Sequence, residues 1–268
     1  MGFCGHVMVI ICSSRQKKSG SHIIVSRHIG LEKGEIHMNI ALVVAGGVGA
    51  RTNNYIPKQF LTIDDKPIIV YTMQNLIKAN CFDKIFVVVN DRWSDFVDSY
   101  AKQFEIASFG GGIASGRTRF ESVFNGFEYL EKNGFSESTV ALVDANRPLI
   151  PGKVFNEAIA LSKSCDCVVP LEPCYDSMLI ADCNTHVVTS SADRSVLFKA
   201  QAPEVCTVKA GYDVLKGFTE FPSNVSLAGT MLLANRRVKY VEGSQLSFKI
   251  TTAEDIMVFR AMVSATER

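Results

Sequence analysis

Histidine is nearly absent from the body of this sequence. Four of its five histidines precede residue 38, and only His186 lies beyond it. A Ser-His-Asp triad, a multi-histidine metal site and a histidine general base would each depend on that single residue. The sequence therefore argues against histidine-dependent chemistry.

The eight cysteines lack the spacing of a metal site or a disulfide framework. None of them forms a C-x-x-C pair, and their separations follow no regular pattern. Zinc ribbons and secreted disulfide-rich folds depend on such spacings, so both classes are disfavoured. Reduced thiols are the simpler interpretation, and they predict a cytoplasmic protein.

An excess of charge of either sign is also missing. The 268 residues carry 28 basic and 27 acidic side chains, which gives a net charge of +1. A balanced chain offers no general electrostatic reason to expect nucleic acid or an anionic membrane as a partner. Any basic site must therefore be local.

The N-terminal segment lacks the features of a targeting sequence. Its apolar run, Val7–Ile11, is too short to span a membrane, and its basic residues follow the run instead of preceding it. Residues 1–37 are predicted to be an extension, either disordered or the product of an over-extended translation start. The working domain is predicted at residues 38–268.

Apolar strands alternate with amphipathic helices through this domain. Continuous apolar runs, typical of parallel strands buried on both faces, occur at Asn39–Val44, Ile85–Val89, Thr139–Val143 and Cys167–Leu171, and a late strand is predicted at Val238–Glu242. Helices are predicted at 67–79, 94–104, 152–164 and 252–262, and another begins at Thr118, whose spacing to Glu121 is that of a capping box. This order predicts a Rossmann-like α/β fold with a mostly parallel twisted sheet and helices on both faces.

One stretch, about residues 173–205, interrupts the alternation. Met178–Ala181 and His186–Thr189 are short apolar runs on either side of Asp182-Cys-Asn-Thr. That pattern predicts a β-hairpin. The stretch is too short for a separate domain, so we expect a protruding arm that lies on a neighbouring element or on another subunit.

A glycine-rich loop follows the first strand. Gly46-Gly-Val-Gly-Ala-Arg51 precedes Pro57-Lys58-Gln-Phe-Leu61, without the third glycine of a dinucleotide fingerprint or the Gly-Lys-Ser/Thr of a Walker loop. An ordinary turn would explain the glycines alone. Arg51 and Lys58, so close behind them, favour a cradle for a triphosphate. A merely solvated Lys58 is the alternative.

Charged residues also follow the third strand. Asp144 and Arg147 lie where open α/β sheets place their ligand chemistry, although a simple ion pair between them is the alternative. A second glycine cluster, Gly110–Gly112 with Gly116, precedes the helix that begins at Thr118. Glycine-rich backbone at a helix N-terminus predicts a second anion site.

Taken together, the motifs between residues 40 and 263 resemble one family. They are Ala45-Gly-Gly-x-Gly-x-Arg51, Pro57-Lys-Gln-Phe-Leu61, Arg119-x-x-Ser122-Val-x-Asn-Gly126, Asp144-Ala-x-Arg147-Pro148, Asp193-Arg194 with Gln201-x-Pro203, and Lys249-Ile-Thr-Thr-x-Glu-Asp255. Their order and spacing are similar to those of the cytidylyltransferases that act on 2-C-methyl-D-erythritol 4-phosphate or ribitol 5-phosphate.

The resemblance implies a nucleotide site. The CTP phosphates would lie on Ala45, Gly46, Gly47 and Gly49, and Arg51 and Lys58 would neutralise the charge on the α-phosphate and the departing pyrophosphate. Further nucleotide contacts would come from Gly111, Arg119, Ser122, Asp144 and Ala145. Asp144 would also hold Mg²⁺.

The resemblance implies an acceptor site as well. A small phosphorylated polyol would contact Arg147, Ser177, Arg194 and Lys249. Arg194 and Lys249 are expected to act in catalysis, together with Arg51 and Lys58. The arm would be exchanged across a homodimer, so that Arg194 would serve the site of the partner.

Departures from the family pattern concentrate on this acceptor side. The usual histidine before Asp144 is Val143, and Asn146 replaces a small apolar residue. Ser177 replaces threonine, Thr-Pro-Gln becomes Ala202-Pro-Glu204, Ser226-Leu-Ala-Gly229 stands for an acidic segment, and Ser247 replaces asparagine. We expect Asn146 and the lost acid to alter which polyol is recognised.

The predicted reaction needs no histidine. A phosphate monoester, with a second pKa of about 6, is largely dianionic at neutral pH and can attack the α-phosphorus of CTP without a general base. The products would be a CDP-alcohol and pyrophosphate, in an isoprenoid or a surface-polymer pathway. The alternatives are another sugar or polyol phosphate as acceptor, a nucleotide-binding module without turnover, and an NAD-dependent oxidoreductase, which the missing third glycine disfavours.

Overall fold

A computed structural model describes residues 37–47, 56–221 and 226–266. The predicted extension, residues 1–37, lies outside this part of the chain except for its last residue. So do Gly49 and Arg51 of the glycine loop.

One eight-stranded sheet forms the centre of the molecule. Its strands are β1 (Asn39–Val44), β4 (Lys84–Val89), β5 (Phe109–Ala114), β6 (Thr139–Asp144), β7 (Cys167–Pro173), β10 (Phe198–Ala200), β11 (Glu204–Thr207) and β12 (Val238–Glu242). The order is β10-β7-β11-β6-β1-β4-β5, with β12 beside β7. β6, β1, β4 and β5 run parallel, as do β7 and β12, whereas β10 and β11 are antiparallel to their neighbours. The predicted mostly parallel sheet is confirmed.

Helices cover both faces of the sheet. They are α1 (Ile68–Lys78), α2 (Asp91–Gln103), α3 (Arg119–Lys132), α4 (Gly152–Ser162), α5 (Val208–Leu215), α6 (Leu227–Leu233) and α7 (Ala253–Thr266). In β1, Ala41 and Val43 pack into the core under α1, α2 and α4, while Ile40 and Leu42 pack into the core under α3, α5 and α6. Burial on both faces explains why this strand is apolar throughout.

Side-chain caps fix where the helices begin. Thr118 accepts from the N–H of Glu121 at 3.0 Å, and Thr252 accepts from that of Asp255 at 3.2 Å, as their spacing predicts. The carboxylate of Glu121 turns instead to the N–H of Arg117, at 2.6 Å. The second helix begins earlier than predicted because Asn90 caps it through the N–H of Arg92.

The predicted arm is confirmed as an exposed hairpin of β8 (Met178–Asp182) and β9 (Val187–Ala192). Both strands are longer than predicted. The Asp182 carboxylate accepts from the N–H groups of Asn184 and Thr185, which closes the turn. A smaller two-stranded pair, β2 (Thr62–Ile63) and β3 (Lys66–Pro67), precedes α1.

The second glycine cluster differs from its prediction. Gly110–Gly112 lie inside β5 and not at a helix N-terminus. Glycine is required there because a Cβ on Gly110 would lie 2.7 Å from the ring of Phe86. Within the described ranges, no helix is long and apolar enough to cross a membrane.

Candidate active site

A cavity of about 450 Å³ opens at the C-terminal ends of β1 and β6. Open α/β sheets bind their ligands at this edge. The cavity brings together many of the residues singled out in the sequence, namely Ala45, Gly46, Gly47, Lys58, Arg119, Ser122, Asp144, Ala145 and Lys249. Gly111 lies in β5 and is not among its lining residues.

The glycine loop approaches α3 so closely that a side chain would not fit. A Cβ on Gly46 would lie 2.7 Å from the Cβ of Ser115 and 2.9 Å from the Oγ of Ser122. The Gln59 amide donates to the carbonyls of Ala45, at 2.6 Å, and Gly47, at 3.0 Å. Gln59 therefore holds the loop in place, a role that sequence reasoning did not assign to it.

Lys58 lies on a short 3₁₀ turn, Lys58–Phe60, that is anchored by aromatic stacking. The ring of Phe60 stacks on Trp93 with centroids 4.3 Å apart and planes 9° apart. Trp93 is on α2 and is the single tryptophan of the chain. The stack therefore fixes the turn that carries Lys58, which lines the cavity together with Thr118 and Arg119 at the start of α3.

Of the second glycine cluster, Gly116 lies beside the cavity, in the turn Gly116–Thr118 that precedes α3. Ser122 Oγ accepts from the N–H of Gly116 at 3.2 Å and donates to the carbonyl of Thr118 at 2.8 Å. This bonding shapes the turn that leads into α3. Thr118 and Arg119, at the N-terminus of α3, line the cavity, so the first N–H groups of the helix lie beside it.

Asp144 lies at the centre of the site with three cations around it. Its Oδ1 is 2.7 Å from Arg119, and its Oδ2 is 3.0 Å from Arg147 and 3.3 Å from Lys249. Burial alone would raise the pKa of Asp144, but the charges of Arg119, Lys249 and Arg147 outweigh it and hold the pKa well below its usual range. The predicted alternative, a simple pair with Arg147, is therefore only part of a larger cluster.

Burial acts on the cations too. It lowers the pKa of Lys249, against the opposing pull of Asp144, because the ammonium group loses water and lies near two guanidinium groups. The charge of Asp144 raises the pKa of Arg119. Both side chains therefore depend on this one carboxylate, and an incoming phosphate would find them already assembled.

Backbone tethers bring Lys249 to the cluster. The Asn146 amide donates to the carbonyl of Ile250 at 2.7 Å, and the N–H of Ile250 returns to the carbonyl of Asn146 at 3.0 Å. Arg147 donates to the carbonyl of Ser247. Asn146 was expected to recognise the acceptor, but its amide nitrogen is engaged in fixing the segment that carries Lys249.

A second, smaller cavity of about 70 Å³ lies on the other side of Asp144 and Arg119. Arg147, Glu204 and Ser226 also line it. Glu204 is buried on β11, and its carboxylate accepts from the N–H groups of Leu227, at 3.3 Å, and Ala228, at 3.0 Å. Burial raises the pKa of Glu204 despite these bonds. In the sequence, this glutamate stands out only as a departure from the family pattern.

Two predicted acceptor residues lie on the arm and line neither cavity. Ser177 immediately precedes β8, and Arg194 lies on the 3₁₀ turn after β9. The Arg194 guanidinium donates to the carbonyl of Tyr175 at 2.6 Å and is exposed. A role for Ser177 or Arg194 in substrate binding would therefore require contact with a site other than the two cavities of its own chain.

The donor set fits a metal that arrives with a nucleotide. No group of three or more His, Cys, Asp or Glu side chains that could hold a metal occurs in the described ranges. Among the described residues that line the larger cavity, Asp144 is the one carboxylate. Mg²⁺ is commonly bound by one or two carboxylates together with substrate phosphates and water, so Asp144 suits that arrangement.

The sequence of the chain is similar to a known protein family. The family model "IspD: 2-C-methyl-D-erythritol 4-phosphate cytidylyltransferase" matches residues 39–265. The chain is 31% identical over 236 residues to a ribitol-5-phosphate cytidylyltransferase of Vibrio parahaemolyticus. The aligned residues cover 86% of this chain and 98% of that protein. It is 28% identical over 230 residues to a 2-C-methyl-D-erythritol 4-phosphate cytidylyltransferase of Lachnospira eligens, covering 82% and 97%.

Solved structures support the fold. The 4-diphosphocytidyl-2C-methyl-D-erythritol synthase of Anaerococcus prevotii superposes with a TM-score of 0.71 at 19% identity, over 85% of this chain and 99% of that one. The likeness confirms the Rossmann-like α/β architecture predicted from the sequence.

Proposed function

The chain belongs to the IspD family of CTP-dependent cytidylyltransferases, and we propose that it transfers CMP from CTP to a small phosphorylated polyol in the larger cavity. The acceptor is 2-C-methyl-D-erythritol 4-phosphate or D-ribitol 5-phosphate. The observation that carries the proposal is the position of Asp144 and its three cations, between the glycine loop and the N-terminus of α3.

The charges of the larger cavity suit a triphosphate. Lys58, Arg117, Arg119 and Lys249 line it against the single carboxylate of Asp144, counted over the described residues. Such an excess of positive charge attracts polyanions and stabilises charge that develops on them. The glycine loop and the N-terminus of α3 add backbone N–H groups.

The reaction is a displacement at phosphorus. An oxygen of the acceptor's phosphate attacks the α-phosphorus of CTP, the bond from that phosphorus to the α,β-bridging oxygen breaks, and pyrophosphate leaves. Lys58 and the start of α3 stabilise the charge on the leaving group, Lys249 holds the attacking phosphate, and Arg147 contacts the acceptor from the smaller cavity. Catalysis then depends on alignment and charge, because the nucleophile is already anionic.

Asp144 would hold Mg²⁺, which neutralises phosphate charge when it is bound. Arg119 and Lys249 pair with Asp144 and also line the larger cavity, so they would be within reach of the phosphates. We further propose that Arg194 reaches the acceptor phosphate in the partner subunit's site, across a homodimer formed through the arm.

Pyrophosphate release measures this function directly. The full chain with CTP and Mg²⁺ should release pyrophosphate with 2-C-methyl-D-erythritol 4-phosphate or with D-ribitol 5-phosphate, and not with the unphosphorylated polyols. Trp93 fluorescence, next to the Lys58 turn, should report CTP binding independently. A fluorescence response to CTP without release for any phosphorylated acceptor would support the binding module instead.

A further inference from the structure

We propose that Glu204 selects the acceptor: the smaller cavity receives an uncharged, hydroxyl-bearing end of the phosphorylated acceptor, and the Glu204 carboxylate disfavours acceptors that end there in a carboxylate. This inference rests on the proposed transfer reaction. It assigns the substrate to alditol phosphates as distinct from the corresponding aldonate phosphates.

The two cavities differ in charge although they share Asp144 and Arg119. Four cationic side chains face one carboxylate in the larger cavity, whereas Arg119 and Arg147 face Asp144 and Glu204 in the smaller one, counted over the described lining residues. The larger cavity therefore suits phosphates. The smaller cavity is balanced, so an additional anion gains nothing there from charge and loses its hydration.

The size of the smaller cavity also limits what enters. Its volume of about 70 Å³ compares with about 450 Å³ for the larger cavity. A terminal hydroxymethyl group is the smallest end of the acceptor and suits this space.

The strand pairing turns Glu204 toward this space. Glu204 lies opposite Leu142 in the β11–β6 ladder, and Asp144 is two residues further along β6. Side chains two residues apart on a strand share a face, so Glu204 and Asp144 project to the same side of the sheet. Both carboxylates are buried, and the charge of each raises the pKa of Arg119.

The carboxylate keeps capacity for one more hydrogen bond. Its oxygens accept from the backbone N–H groups of Leu227 and Ala228 and from the Ser226 side chain. A carboxylate has about four lone-pair positions, so one acceptor position is left for a hydroxyl donor in the cavity. The segment at 226–229, where α6 begins, lacks the acids expected from the family pattern. Glu204 on β11 supplies a negative charge beside this segment.

A matched pair of acceptors tests this assignment. Whichever alditol phosphate is turned over is compared with its aldonate, in which a carboxylate replaces the terminal hydroxymethyl group, for example D-ribitol 5-phosphate with D-ribonate 5-phosphate. The wild type should use the aldonate with a kcat/KM at least about 50-fold lower, because like charges are juxtaposed in a desolvated site. This comparison needs no variant.

Substitutions then separate selection from support. Glu204→Gln should reduce the alditol-to-aldonate ratio by at least about tenfold, with the KM for CTP within about twofold of wild type, because Glu204 lines the smaller cavity and not the larger one. Glu204→Asp keeps the charge and should keep the ratio. Glu172→Gln is the control, since Glu172 is also buried, on the neighbouring strand, but lines neither cavity.

The outcomes are distinguishable. A wild type that uses the aldonate within about threefold of the alditol, or a folded Glu204→Gln that lowers both acceptors equally, would overturn the role of Glu204 while leaving the transfer reaction intact; the latter result is that of a residue that only supports α6. A wild type that turns over no alditol phosphate would overturn the transfer reaction and this inference with it.

Discussion

Asp144 has two carboxylate oxygens, yet three cationic side chains lie within 3.3 Å of them. Removing one partner of a buried ion pair leaves an uncompensated charge, so these residues are mutually dependent. Lys58 differs from them, because it lines the same cavity but has no ion pair within the described ranges. Its charge is therefore available to a substrate without loss of a structural contact.

Lys58→Ala should consequently lower turnover far more than stability. The loss of one group that stabilises developing charge raises the barrier by about 2.7–4 kcal/mol, a factor of about 10²–10³ in kcat. The free energy of unfolding should stay within about 0.5 kcal/mol of the wild type. Steady-state pyrophosphate release and urea unfolding measure the two effects, with the exposed Lys78→Ala as the control. Near-normal turnover in Lys58→Ala would contradict the site assignment.

Glu204 should leave a signature in the pH dependence of stability. Burial raises its pKa in the folded protein, so between its unfolded and folded pKa the native state holds a proton that the unfolded chain has released. Stability from this group is complete below the unfolded pKa and declines as pH rises through the folded one. Relative to Glu204→Gln, the wild type should lose up to about 1.4 kcal/mol per pH unit in that interval.

Urea unfolding of both proteins from about pH 4 upward measures this difference. Differences between the two curves cancel the titration of shared groups that lie far from Glu204. Two curves that stay parallel over the whole range would contradict a raised pKa for Glu204.

Among the structural elements, short segments and not the long helices position the side chains of the candidate active site. The Lys58–Phe60 turn is held by the Phe60–Trp93 stack and by the Gln59 amide. The segment with Lys249 is tied to Asn146 through Ile250. Contacts between segments that are distant in the sequence therefore position Lys58 and Lys249.

The arm leads to a complementation experiment. Arg194 lines neither cavity of its own chain, and we propose that it serves the site of the partner subunit. If every site needs Lys58 from one subunit and Arg194 from the other, Arg194→Ala and Lys58→Ala should each be inactive alone. In a mixed homodimer, one site would combine an intact Lys58 with the partner's intact Arg194. Random exchange of subunits should then restore about a quarter of wild-type turnover. Mixtures that stay inactive, after exchange is verified by a tagged subunit, would contradict a role for Arg194 across the dimer.

The elements that the sequence predicted are those with a periodic or continuous side-chain signal. Strand β1 and its parallel neighbours were recognisable because burial on both faces leaves them apolar throughout. Strand β5 was not, because Gly110–Gly112 present no side chains to form a pattern. Strands β10 and β11 and helix α6 are too short to show a period.

The same distinction applies to the site. Lys58 and Asp144 follow strand ends within compact motifs, so their clustering was predictable from the parallel sheet. The bonds from Gln59 to Ala45 and from Glu204 to Ala228 join residues that only tertiary structure brings together. No local pattern could reveal them.

At the scale of the whole molecule, a single sheet carries the cavities at the C-terminal ends of its central strands, and its family match begins at residue 39. We expect a chain that starts at Met38 to fold and to turn over substrate like the full chain. Thermal unfolding and pyrophosphate release would compare the two proteins. If the shorter chain lost folding or turnover, the preceding residues would be part of the working domain.

Identification of the product tests the central claim, CMP transfer to a phosphorylated polyol, most directly. Phosphorus-31 NMR of the full chain with CTP, Mg²⁺ and 2-C-methyl-D-erythritol 4-phosphate or D-ribitol 5-phosphate should show two coupled resonances of a new diphosphate diester, equimolar with pyrophosphate. Asp144→Asn should show neither signal. Formation of CMP with pyrophosphate in place of the diester, or no consumption of CTP with either acceptor, would contradict the account.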